Sequence, residues 1–170
     1  MGTSATTPQG TCTGSFTLVL VNTSEGGKSG TETFTVTVDV APVITLTKSA
    51  DLNFGDIFAG PTAWTVILSP AGSRSATGGL LLGNLSYIGA VFTVNGAANA
   101  TYAIWLPASI TLTGPAGTIL ESPFTSAPGP SSQLSASGTQ QLRVGVTLNL
   151  AANQPDGDYV GTFSITTVYN

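Results

Sequence analysis

Thr31-Glu32-Thr33-Phe34-Thr35-Val36-Thr37-Val38-Asp39-Val40 alternates without a break. Side chains along a strand point to opposite sides with a period of two, so Phe34, Val36, Val38 and Val40 share one face. Thr33, Thr35, Thr37 and Asp39 occupy the other. A helix needs apolar residues three and four apart, so this stretch predicts a half-buried β-strand. Its place near the start of the chain leaves two readings open. It is an edge strand of its own domain, or a detachable strand that completes the sheet of another chain.

The same punctuation extends outward in both directions. Upstream, a polar start (1–14) leads to a strand at 16–21, with Phe16, Leu18 and Leu20 on one face, and then a glycine-rich turn at 22–30. Downstream, strands are expected at 43–47, 63–68, 79–82, 87–94, 102–106, 109–113, 141–150 and 159–169. Asn95-Gly96 is a strong turn signal, and Pro107 and Gly114-Pro115 stop the strands before them. Residues 121–138, rich in Pro, Ser and Gly, read as a loop. No window carries helical periodicity with good helix formers. Short strands separated by Gly/Pro turns predict an all-β sandwich.

Composition narrows the function. The chain has 170 residues, of which 41% are hydrophobic and only 7% charged, with a net charge of −4. The four basic residues, Lys28, Lys48, Arg74 and Arg143, are scattered, so no patch exists to neutralise nucleic-acid phosphates. A low charge with abundant Thr suits an extracellular β-protein that assembles. No run of about 20 apolar residues marks a membrane span. No signal-peptide pattern follows Met1, which is read as a mature or recombinant start.

Chemistry has few carriers. The chain contains no His, which excludes Ser-His-Asp and Cys-His sites and imidazole metal sites. Its single Cys12 cannot form an intrachain disulfide. Nothing pairs two of the eight acids across a cleft as a glycosidase requires. Asp156-Gly157-Asp158 has two carboxylates two positions apart but none of the remaining calcium-loop ligands, and reads as a β-turn. Trp64 and Trp105 lie in apolar strands and are expected in core or interface packing. Three Asn-x-Ser/Thr triplets, at Asn22, Asn84 and Asn99, are expected by chance in so Ser/Thr-rich a chain. The expectation is a non-enzyme without cofactor or metal.

Two stretches carry a family resemblance. One is Ile44-Thr-Leu-Thr-Lys-Ser-Ala-Asp-Leu-Asn-Phe-Gly55, continuing through 69–79. The other is Ala152-Asn-Gln-Pro-Asp-Gly-Asp-Tyr-Val-Gly-Thr-Phe-Ser-Ile-Thr-Thr167, ending at Asn170. With Phe92–Gly96 and Tyr102–Pro107 between them, residues 32–170 resemble the spore coat protein U and archaic chaperone–usher pilins, whose relatives include a domain family of unknown function. The resemblance implies an immunoglobulin-like sandwich lacking one strand, which the N-terminal segment of the next subunit supplies. It also implies a periplasmic chaperone and an outer-membrane usher as partners, and a cell-surface fimbrium as the destination. Phe163, Ile165 and Tyr169 look like the C-terminal motif by which such pilins bind the chaperone. This chain departs from the pattern in lacking paired cysteines and in carrying about thirty extra residues before the donor segment.

The expected organisation is an N-terminal extension (1–30), a candidate donor strand (31–41) and a pilin-like sandwich (42–170). Phe34, Val36, Val38 and Val40 form the expected donor interface, with Phe16, Leu18 and Leu20 as the alternative. The expected function is a structural subunit that binds identical subunits in a filament. The alternative is a self-complemented extracellular adhesin or binding module, in which 16–21 and 32–41 form a hairpin that completes its own domain.

Overall fold

A computed structural model describes residues 10–21, 29–78, 80–81 and 86–170. The chain divides into two compact units, Met1–Val43 and Ile44–Asn170. All regular structure among the described residues is β, as the turn-punctuated alternation predicts.

In the first unit, β1 (Gly10–Val21) and β2 (Ser29–Val40) pair antiparallel as a two-stranded sheet of their own. Twelve residues of each strand are in register, from Gly10 opposite Val40 to Val21 opposite Ser29. The strand expected at 16–21 therefore begins earlier, because pairing with β2 draws Gly10–Ser15 into the ladder. Of the expected turn at 22–30, residues 22–28 lie outside the described residues, as does Gly83-Asn84.

Among the described residues the second unit contains twelve strands: β3 (Thr45–Ala50), β4 (Ile57–Phe58), β5 (Trp64–Leu68), β6 (Arg74–Ala76), β7 (Leu80–Leu81), β8 (Ala90–Asn95), β9 (Thr101–Trp105), β10 (Ile110–Gly114), β11 (Gly117–Ala127), β12 (Ser131–Gln133), β13 (Thr139–Leu150) and β14 (Thr166–Tyr169). A seven-stranded sheet runs β10-β11-β13-β5-β6, with β8 and β3 attached beside the first half of β13. A three-stranded sheet runs β12-β9-β14, and β4 pairs β7.

β13 organises the core. Leu142, Val144, Val146, Leu148 and Leu150 alternate inward along it. Its residues 146–150 pair β5 and its residues 139–144 pair β8. Gly145 stands where β13 changes partner, and a Cβ there would collide with the Leu68 carbonyl and the backbone of Ser69 and Pro70. One core cluster gathers Trp64, Val66 and Leu68 of β5 with Ile119 and the second half of β13. The other gathers Ala90 and Val94 of β8, Leu142 and Val144 of β13, and Tyr102 and Ile104 of β9. The second cluster joins residues of both larger sheets, which makes this an all-β, sandwich-type domain.

Two local expectations are corrected. Residues 121–138 are not a continuous loop, since β11 runs to Ala127 and β12 follows. Pro123 is tolerated because the β11–β13 register slips between Glu121 and Phe124, at a bulge where no ladder donor is required. The Asn149 amide donates to the carbonyls of Leu120 and Ser122 there, both at 3.1 Å. Asn95-Gly96 does turn the chain, but between sheets, because β8 and β9 do not pair.

Candidate strand-docking site

The C-terminal segment has a strand's burial pattern and only part of a strand's pairing. Phe163, Ile165, Thr167 and Tyr169 are half-buried, while Thr162, Ser164, Thr166 and Val168 face out. β14 pairs β9, from Thr166 opposite Trp105 to Tyr169 opposite Tyr102. Val160 forms a single bridge with Thr113 of β10. Between these anchors, residues 161–165 join no ladder among the described residues.

Both ends of the segment are held by tyrosines. Tyr159 packs where Gly114 leaves no Cβ in its way. Its hydroxyl donates to the Pro155 carbonyl at 2.8 Å and accepts from the Gln154 amide at 2.9 Å. At the other end the Tyr169 hydroxyl accepts from the Ala97 N–H at 2.6 Å. A Cβ on Gly96 would overlap that hydroxyl, so glycine at 96 is what lets the tyrosine reach the backbone. The chain between 160 and 166 is thus stretched between two fixed points.

The inward face of the segment belongs to the second core cluster. Phe163, Ile165 and Tyr169 pack against it, as do Ile44, just before β3, and Leu46 within it. The Phe163 ring lies 5.1 Å from that of Phe124. β3 pairs only β8, so its other edge carries no ladder among the described residues. Two strand edges therefore flank partly covered apolar side chains of one core. Unpaired backbone donors and acceptors over apolar surface are a template for an added strand.

On β2, the expected donor residues lie on one face. Phe34, Val36 and Val38 are 47%, 54% and 55% exposed, and Val40 is half-buried. The ladder pairs Phe16 with Phe34, Gly14 with Val36, Cys12 with Val38 and Leu18 with Glu32. Phe16, Leu18 and Leu20 therefore fall at the same register phase as Phe34, Val36, Val38 and Val40, and Phe16 and Phe34 are the one pair in which both sets meet. The two candidate donor segments, read separately in the sequence, are the two strands of one hairpin.

Other sequence candidates fall elsewhere. Trp64 is buried in the first cluster, where its indole N–H has no partner among the described residues. Trp105 is 65% exposed and is not core; it borders a shallow hollow with Ile104, Leu106, Phe124 and Pro130. Asp156 and Asp158 lie exposed in the turn before the C-terminal segment. The guanidinium of Arg74 donates to the Phe54 carbonyl and sits 4.4 Å over the Tyr87 ring, a structural use of this cation. Sequence reasoning missed Glu121, which is buried on the inward face of β11, two residues after Ile119. Burial pushes its carboxyl up to about 7. Its inward phase could have been read only if 117–127 had been taken as a strand.

No curated protein and no solved structure matches the chain. Residues 44–169, nearly the whole of the second compact unit, match a family described as a domain of unknown function (DUF4402), and the chain belongs to that family.

Proposed function

We propose that this chain is a structural subunit that assembles head to tail, the β2 region of one copy completing the sandwich of the next. The observation that carries the reading is the C-terminal segment, whose residues 161–165 alternate like a strand yet join no ladder among the described residues, beside an apolar core. The incoming segment has a matching phase. Phe34, Val36, Val38 and Val40 recur every second residue, as Phe163, Ile165 and Tyr169 do along the receiving strand, with threonines turned outward. Burying four such side chains contributes roughly 6–12 kcal/mol gross. A slip of one residue would turn threonines inward, which enforces register. The donating and receiving surfaces differ, so the contact does not close and yields filaments. In this reading the fold is an immunoglobulin-like sandwich short of one strand, and the product is a cell-surface fibre. A periplasmic chaperone would cover Phe163, Ile165 and Tyr169 until assembly at an outer-membrane usher.

A second reading has one observation in its favour. β1 and β2 already pair within one chain, as a self-complemented adhesin or binding module would require.

Electron microscopy and size-exclusion chromatography of the purified full chain separate the two. Filaments that disappear with Val36→Asp are the expected result. A monodisperse monomer at all concentrations would overturn the fibre reading and leave the self-complemented one.

A further inference from the structure

We infer that the unit donated between copies is the whole β1–β2 hairpin, inserted as two strands, rather than β2 alone. The inference rests on the proposed head-to-tail assembly and concerns what enters the receiving domain.

Three observations point to the hairpin. First, β1 and β2 are in register over twelve residues each. Extracting β2 would break that ladder before a new one formed, and would strip Phe16 of its opposite residue, Phe34. Second, the apolar positions of the two strands are staggered along the ladder: Phe16 stands opposite Phe34, Leu18 and Leu20 opposite Glu32 and Gly30, and Val36, Val38 and Val40 opposite Gly14, Cys12 and Gly10, so β1 carries the apolar alternation on where β2 drops it. The opposite face of β2 is threonine from Thr31 to Thr37, followed by Asp39. A donor using only β2 would leave Phe16, Leu18 and Leu20 of β1 outside the receiving domain. A two-stranded ribbon is marginal by itself.

Third, the receiving domain offers two edges over one cluster, that of β3 and that of the C-terminal segment. A lone strand that paired both edges would need both its own, so β2 could serve that way only after shedding β1. A hairpin has two outer edges, one on each strand, and can pair both receiving edges without losing a bond of its own. The lengths agree, since strands of twelve residues cover the ten from Val160 to Tyr169. Two such strands also supply the 20–30 residues a side that a stable interface typically contains. The occupant is therefore residues 10–40 of a second copy of this chain.

Cys12, the single cysteine, lies on β1 opposite Val38 and reports the outcome without any substitution. Filaments and unassembled full-length protein are treated with N-ethylmaleimide, and the rate of Cys12 modification is followed by mass spectrometry. Entry of the hairpin predicts modification at least tenfold slower in filaments. As a second measurement, Leu18→Asp is expected to abolish filaments as Val36→Asp does. Filaments in which Cys12 reacts at the same rate or faster, together with normal assembly of Leu18→Asp, would show that β2 enters alone. That outcome overturns the hairpin inference and leaves strand donation standing. Absence of filaments from the unaltered chain overturns donation itself.

Discussion

Glu121 shows how one residue's chemistry depends on a neighbour's geometry. It faces inward because Ile119 does, two positions earlier on β11, and desolvation favours its neutral form. A carboxyl held near 7 when folded and near 4.5 when unfolded binds more protons in the folded state between those values. Stability therefore falls as pH rises from about 4.5 to about 7 and is level above that. Glu121→Gln is expected to stabilise the chain at pH 8 and change little at pH 4. The gain is at most about 3 kcal/mol, less where water reaches the carboxyl, and urea unfolding at the two pH values measures it. Gly145 and Tyr169 make sharper single-residue cases. Gly145→Ala places a methyl against the Leu68 carbonyl and is expected to lower stability by about 1–3 kcal/mol, read from the thermal midpoint. Tyr169→Phe removes the acceptor of the Ala97 N–H and is expected to cost about 1 kcal/mol. The clash at Gly145 has no counterpart in the local sequence Arg143-Val144-Gly145-Val146, because the atoms it meets come from the end of β5.

Along the elements, alternation was legible wherever charge and proline did not interrupt it. The inward set of β13, from Leu142 to Leu150, follows directly from its sequence. β11 was hidden because Pro123 and Pro128 read as breakers, and only the bulge opposite Val146–Leu148 explains how a strand carries Pro123. The C-terminal segment is the converse case: its period of two runs to the end, yet half of it has no ladder. Amides without a ladder exchange faster than those in a central strand. In the unassembled chain, hydrogen exchange at Phe163 and Ile165 is expected to outpace exchange along β13. Protection of these two amides equal to that of β13 would mean that the edge is already occupied, and would remove the basis for docking there.

For the whole molecule, the two compact units set up a test of complementation. A chain of residues 44–170 keeps both core clusters but lacks β1 and β2. Adding a peptide of residues 31–41 is expected to raise its thermal midpoint, since a ligand at one hundred times its dissociation constant adds about 2.7 kcal/mol. A hairpin peptide of residues 10–40 is expected to do so at lower concentration. No shift with either peptide would count against the receiving edges as a site.

The sequence alone determined that this is a β-protein, which face of each long strand is apolar, and that imidazole chemistry is unavailable to it. These are local properties, set by a two-residue period and by composition. The tertiary structure decided what each strand lies beside. It paired the two candidate donor segments in a single ribbon, carried β8 and β9 into different sheets across an apparent hairpin turn, and left two edges over one core with no ladder among the described residues. Alternation specifies the direction of a side chain, whereas a ladder is a choice among distant segments settled by the packing of the whole domain.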